Sequence, residues 1–212
     1  MKNTKSGKSV AIIDYGMGNI NSVRKMVEYL NYEPYFVDNS LELKSSDFII
    51  LPGVGSYSQA YKNLSKAGLI DGLNEEVINN KKPFLGICLG MQLLSEGGDE
   101  GGVTKGLGWI KGKTTKIPQM PNLTVPHMGW DILSIKDRSN LFKDIYANNP
   151  SFYFCHSYVL EPENKDLIIA EFDYGSNYVA SVKKDNIYGT QFHPEKSQEY
   201  GKVLLENFFT NN

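Results

Sequence analysis

The segment Pro83-Phe84-Leu85-Gly86-Ile87-Cys88-Leu89-Gly90-Met91-Gln92-Leu93-Leu94 limits the possible folds of this chain more than any other. An apolar run behind a proline reads as a buried strand, and Met91 to Ser95 reads as the start of a helix. Between them stands Cys88, with a glycine two residues to each side. A nucleophile on a sharp strand-to-helix turn is a nucleophile elbow, here carrying Cys where many hydrolases carry Ser. The turn leaves no room for Cβ atoms at the flanking positions, so glycine is needed there. At a helix N-terminus the dipole and free N–H groups favour thiolate. The same segment also suits a buried structural cysteine, the commonest role of a free thiol.

A second segment, Tyr188-Gly189-Thr190-Gln191-Phe192-His193-Pro194-Glu195-Lys196-Ser197, weighs toward catalysis. In an extended stretch residues i and i+2 point to one side, so Glu195 is placed to orient His193. Cys88, His193 and Glu195 then supply a nucleophile, a base and an orienter, and such triads are recognised by role and geometry rather than chain order.

With both motifs in hand, the chain resembles the class I (triad) glutamine amidotransferases. More narrowly it is similar to the HisH-type glutaminase subunits of imidazole glycerol phosphate synthase. The matching segments are Asp14 to Asn19, Leu51-Pro52-Gly53-Val54-Gly55, Gly86 to Leu94, Gly106-Leu107-Gly108, Pro126-His127-Met128-Gly129-Trp130, His156-Ser157-Tyr158 and Tyr188 to Ser197. They run over nearly the whole length. The resemblance implies a three-layer α/β fold with a mainly parallel central sheet and a peripheral antiparallel part. It implies hydrolysis of glutamine to glutamate and ammonia, with the ammonia passed to a (β/α)8-barrel cyclase. That cyclase would make imidazole glycerol phosphate and an aminoimidazole carboxamide ribotide in histidine biosynthesis. The sequence departs from the family at Asp131, where Asn is usual, at Cys155, where an aliphatic residue is commoner, and in the glycine-rich stretch from Gly97 to Trp109. A paralogue feeding another acceptor, such as a surface-sugar amidination synthase, shares the same glutaminase motifs.

The remaining motifs carry two readings each. Pro52-Gly53-Val54-Gly55 is an ordinary turn or an oxyanion hole. In the second case Leu89 donates one N–H and the Val54 loop the other, with Gly53 and Gly55 letting that peptide reorient. Gln92, one helical turn after Cys88, packs locally or, by resemblance, binds the substrate. His156, Ser157 and Tyr158 end an aromatic-rich strand, and the resemblance assigns them to the glutamine α-carboxylate; His156 alone reads as a half-buried histidine. His127 and Trp130 suit either core or interface. By resemblance Tyr15, Gly16, Asn19, Met128 and Trp130 face the partner subunit.

Gly16-x-Gly18 hints at a dinucleotide site, but Asn19 and Asn21 follow where further glycines would stand. Cys88, His127, His156 and His193 show no metal-ligand spacing. No metal and no cofactor is therefore expected. With a net charge of −2 no basic surface points to nucleic acid. No segment approaches the ~20 apolar residues of a membrane span, and two cysteines do not make a disulfide framework. A cytoplasmic protein is expected.

The order of elements follows from periodicity. Strands are expected at Val10–Asp14, Pro34–Val37, Phe48–Leu51 and Phe84–Ile87, alternating with helices near Ile20–Leu30, Ser58–Ala67 and Leu69–Asn79. Glu96 to Gly102 reads as a flexible loop. Beyond it the extended stretches are Gly106–Ile117, Thr124–Ile135, Phe152–Leu160, Leu167–Tyr174, Tyr178–Lys183 and Ile187–Phe192. A last helix is expected over Gly201–Phe209. No repeat or linker interrupts the 212 residues, which read as a single glutaminase domain.

Overall fold

Both faces of the first strands are apolar, and that dictates the layering. In the computed structural model, which describes residues 7–121, 123–146 and 149–212, strand β1 (Ser9–Ile13) alternates its side chains between two cores. Val10 and Ile12 point to one core with α1 (Ile20–Tyr29), while Ala11 and Ile13 point to the other. Strands β2 (Glu33–Val37), β3 (Phe48–Gly53) and β4 (Phe84–Cys88) follow, with α2 (Tyr57–Lys66) and α3 (Leu69–Leu73) between the last two. A strand buried on both faces reads as a continuous apolar run, the mark of a parallel sheet between helical layers. The one-turn α4 (Leu89–Gln92) follows the elbow.

Then come β5 (Gly97–Gly98), β6 (Thr104–Lys105), β7 (Gly112–Lys116), β8 (His127–Ile135), β9 (Ser151–His156), β10 (Tyr158–Pro162), β11 (Ile168–Asp173), β12 (Asn177–Lys184), β13 (Ile187–Thr190) and α5 (Gln198–Thr210). The main sheet has nine strands in the order β2-β1-β3-β4-β13-β12-β11-β8-β9. Its half from β2 to β13 is parallel, and its half from β13 to β9 is antiparallel. The antiparallel part thus extends one margin of the central sheet, as expected. A separate four-stranded sheet, β10-β7-β5-β6, flanks it. Leu204, Leu205 and Phe208 of α5 close the core on the α1 face, and Tyr57, Leu64 and Leu73 close the other.

Several expected elements differ in extent. The stretch Phe152–Leu160 is two strands in two sheets, broken at Ser157. Only Gly112–Lys116 of Gly106–Ile117 is strand, because the backbone of residues 106–110 is spent on the turn that follows α4: Leu107 N–H donates to Leu93 and Ile110 N–H to Leu94. The helix expected over Leu69–Asn79 widens into π turns at Asn74–Asn79, where Asn80 N–H donates to the Glu75 carbonyl. Glu96–Gly102 is not a free loop: it contains β5, and the Glu100 carboxylate accepts the Tyr57 N–H at 2.6 Å, capping α2. The elbow helix begins at Leu89, two residues earlier than its apolar run suggests.

Candidate active site

The elbow is built by close backbone approach. A Cβ on Gly90 would lie 1.9 Å from the Leu51 carbonyl oxygen, and one on Gly86 would lie 2.6 Å from the Gly90 oxygen. Only glycine lets β3, β4 and α4 meet this tightly. The strain falls on Cys88 itself, which takes φ +54° and ψ −107°; non-glycine residues hold such angles where the surroundings enforce them, often at active sites. In the parallel ladder Cys88 stands beside Gly53, and Ile87 lies between Pro52 and Thr190. The ends of β3, β4 and β13 therefore bring the oxyanion candidates, the thiol and the histidine segment to one edge. That edge, the carboxyl ends of parallel strands, is where open α/β sheets bind ligands.

His193 Nδ1–H donates to Glu195 Oε1 at 2.8 Å, and both side chains are buried. The route differs from the extended stretch expected. His193 is the last extended residue, and Pro194–Lys196 forms a tight turn that curls Glu195 back under the ring. The turn is held by the Ser197 hydroxyl, which donates to the His193 carbonyl and accepts from Tyr153 N–H. Burial alone would lower the His193 pKa, but Cys88 and Glu195 outweigh it and raise it to about 10. Cys88 therefore acts on this imidazole both by charge and by close hydrogen-bonding approach, although no aligned hydrogen bond closes on the buried Nε2. Instead Sγ sits 3.8 Å from the Cys155 carbonyl oxygen and 3.6 Å from Gln191 Nε2.

A cavity of about 340 Å³ opens over the thiol. Cys88, Leu89, Val54 and Gly55 form one side of it, and Gln92, His156, Ser157 and Tyr158 another. Leu89 is the first residue of α4, so its N–H has no intrahelical acceptor. Gly53 lies behind this wall as the buried end of β3, with Tyr15 Oη so near that a Cβ would meet it at 2.2 Å. The Tyr158 carbonyl accepts from Gln92 Nε2 at 2.8 Å and from His156 Nδ1 at 3.0 Å. His156 is more deeply buried than expected: burial, then the neighbouring His127, lowers its pKa to about 3, so it is a neutral ring. A wider hollow of about 520 Å³ between α1 and α5 touches Glu195 but holds no nucleophile.

Two functional candidates escaped the sequence reading. Glu100 lines the cavity together with Gln92, and its carboxylate, which also accepts the Tyr57 N–H, is suited to an ammonium group. A glycine-rich stretch carries no signal of such a placement. Gln191 touches the sulfur; its i, i+2 relation to His193 is the signal that could have found it.

The residues expected at a partner surface divide. Met128 and Trp130 are 62% and 46% exposed and share the outer face of β8 with Ile132. Gly16 and Asn19 are also exposed. Tyr15 is not: it is 5% exposed and its hydroxyl is buried against Gly53, so it packs against the end of β3 instead. His127 is buried and stacked among Phe154, Phe172 and Tyr174, with Nε2 donating to Asp131 at 2.9 Å. Among the described residues no group of three or more His, Cys, Asp or Glu side chains is disposed to hold a metal, and no helix is long and apolar enough to cross a membrane.

Residues 11–212 match the family model described as glutamine amidotransferase class-I. The subunit named imidazole glycerol phosphate synthase subunit HisH 1 of Campylobacter jejuni strain 81-176 is 47% identical over 199 residues, covering 94% of this chain and 98% of that protein. Subunit HisH of Leptospira interrogans is 44% identical over 203 residues, with the same coverage of 94% and 98%. Among solved structures, PurLQS from Thermotoga maritima superposes with a TM-score of 0.73 at 18% identity, covering 97% of this chain and 99% of that one. A further glutamine amidotransferase gives a TM-score of 0.73 at 16% identity, covering 95% and 99%. These two show the shared fold. The chain belongs to the class I glutamine amidotransferase family, in the branch whose curated members are named imidazole glycerol phosphate synthase subunit HisH.

Proposed function

We propose that the chain hydrolyses the side-chain amide of glutamine and delivers the ammonia to a cyclase subunit, which makes imidazole glycerol phosphate and an aminoimidazole carboxamide ribotide in histidine biosynthesis. One observation carries the chemistry: a strained, glycine-flanked Cys88 borders a cavity and stands beside a buried His193–Glu195 pair held at 2.8 Å. The relatives' names carry the assignment to this synthase.

Cys88 attacks the carboxamide carbon while His193 Nε2 takes the thiol proton. The imidazolium then protonates the departing nitrogen, which leaves as ammonia. Water, deprotonated by the same Nε2, attacks the thioester and releases glutamate with Sγ restored. Glu195 holds Nδ1–H and so keeps Nε2 as the working atom. The oxyanion of each tetrahedral intermediate is met by the Leu89 N–H and by an N–H of the Val54–Gly55 turn. Glu100 and Gln92 take the substrate's α-ammonium end, and the Ser157–Tyr158 backbone its carboxylate. No cofactor enters these steps.

The acceptor site lies on the partner, a (β/α)8-barrel subunit docked over Met128 and Trp130, with Gly16 and Asn19 at the same surface. The 212 residues act as one domain, in the cytoplasm. The decisive test is the Cys88→Ala variant in complex with the cyclase. Glutamine-dependent turnover should fall by a factor of ~10⁴ or more, while turnover supplied with ammonium salts persists. Retention of a tenth of the glutamine-dependent rate refutes the nucleophile. Glutamine hydrolysis that is equally fast with and without the cyclase and its ribotide refutes the pairing with this synthase.

A further inference from the structure

Besides the His193 imidazole, which it approaches without closing an aligned hydrogen bond to Nε2, the Cys88 sulfur makes two polar contacts. The Cys155 carbonyl can only accept, so it favours the protonated thiol. The other contact is the side chain of Gln191, which is completely buried between β13 and the elbow. The orientation of its carboxamide follows from a chain of partners. The Tyr158 carbonyl also can only accept, so the group that Gln92 turns toward it is the NH2. That same NH2 donates to the next atom in line, 3.2 Å away, which must be Gln191 Oε1. The Gln191 NH2 is then left facing Sγ at 3.6 Å. The Gln191 backbone is pinned as well, since its N–H donates to the Ala180 carbonyl at 2.8 Å.

We infer that Gln191 is the hydrogen-bond donor to the Cys88 thiolate, and that its carboxamide ties the nucleophile to the Gln92 and Tyr158 wall where glutamine binds. This rests on Cys88 being the nucleophile. A donor to a charged sulfur stabilises the thiolate over the thiol. α4 has only four residues and gives little dipole, and His193 Nε2 is out of alignment. The amide of Gln191 is therefore a side-chain donor to the sulfur in addition to the imidazole, and the one that is aligned on it. The charged and titratable groups around Cys88 are His193 and Glu195 from the turn after β13, His156 from β9, Tyr15 from the turn after β1, and Glu100 across the cavity. Gln191 is neutral at every pH, so its loss displaces the thiol titration without adding one. The arrangement also relates binding to reactivity. Gln92 lines the cavity and holds Gln191 by the oxygen, so substrate contact at Gln92 is passed to the sulfur through one carboxamide.

The test is the pH dependence of Cys88 alkylation by iodoacetamide in the complex with the cyclase, read from the mass of the Cys88 peptide. Gln191→Met keeps the volume and removes both hydrogen bonds. Gln191→Glu keeps the acceptor for Gln92 and puts a carboxylate against the sulfur. The half-alkylation pH should rise by about one unit in Q191M, as for loss of one hydrogen bond to a charged group, and further in Q191E. In both variants kcat should fall about tenfold with KM changed less. A Q191M profile superimposed on wild type, with only KM raised, would mean that Gln191 merely supports Gln92 and would overturn the inference. If Q191M does not fold, Q191E decides alone: an unshifted profile overturns it. Alkylation of Cys88 that leaves wild-type glutamine turnover intact would instead remove the nucleophile assignment.

Discussion

At the residue scale the site is a set of buried groups whose charge is set by their neighbours. Glu195 touches His193 and not the cavity over Cys88, which places it to act through the proposed base. Glu195→Gln keeps an oxygen for Nδ1–H but loses the charge, and glutamine turnover should drop about 10²–10⁴-fold with KM nearly constant. A comparable rise in KM would place Glu195 in substrate binding. His156 provides a stability prediction. It is neutral when folded, with a pKa lowered to about 3 by burial and by His127, against about 6.5 when unfolded. The unfolded chain therefore binds the extra proton first. The stability this contributes is complete above about pH 6.5 and is lost as the pH falls toward 3. At pH 5 the loss is about 2 kcal/mol relative to pH 7.5. Urea midpoints for wild type and His156→Gln should converge over that range, and parallel pH dependences would show that the ring is not the cause.

At the element scale the decisive feature is the junction of β3, β4 and α4. Gly90 accommodates the Leu51 carbonyl where any side chain would overlap it. Gly90→Ala must push α4 away from β3, which costs upwards of about 3 kcal/mol by overpacking against backbone and tilts the Leu89 N–H off the oxyanion. The expected result is a large fall in thermal midpoint, and no measurable glutaminase activity in whatever folds. An Ala variant with wild-type stability would contradict the closeness of this packing. The break between β9 and β10 is the other functional junction. By switching sheets at Ser157, the chain presents Ser157 and Tyr158 to the cavity, and His156 and Gln92 fix that corner through the Tyr158 carbonyl.

At the scale of the whole molecule, the antiparallel half of the sheet carries an exposed apolar row on β8, Met128, Trp130 and Ile132, on the strand that also brings His127 to His156. A row like this suits a partner, and a central Trp is a common energetic anchor. Trp130→Ala should weaken cyclase binding about 30-fold, on the order of 2 kcal/mol, with the thermal midpoint of the isolated chain little changed; unchanged affinity in a titration would move the interface elsewhere. The sequence alone determined the parallel half of the fold and pointed to the candidate triad. Both-face apolar runs at residues 10–13 and 48–51 permit little but a covered parallel sheet, and Gly-x-Cys-x-Gly with His-x-Glu encodes its chemistry in local spacing. Tertiary structure decided the rest, because it depends on contacts between residues far apart in the chain. Tyr15 stands in a turn that looks like surface, yet it is buried because β3 passes over it. Glu100 sits in a glycine-rich stretch that looks mobile, yet it is held by the free N–H at the start of α2 and turned into the cavity. Gln191 becomes a partner of Cys88 only where β13 pairs with β4, 103 residues away in sequence. Local periodicity records which face of a strand is buried; it does not record which strand lies beside it.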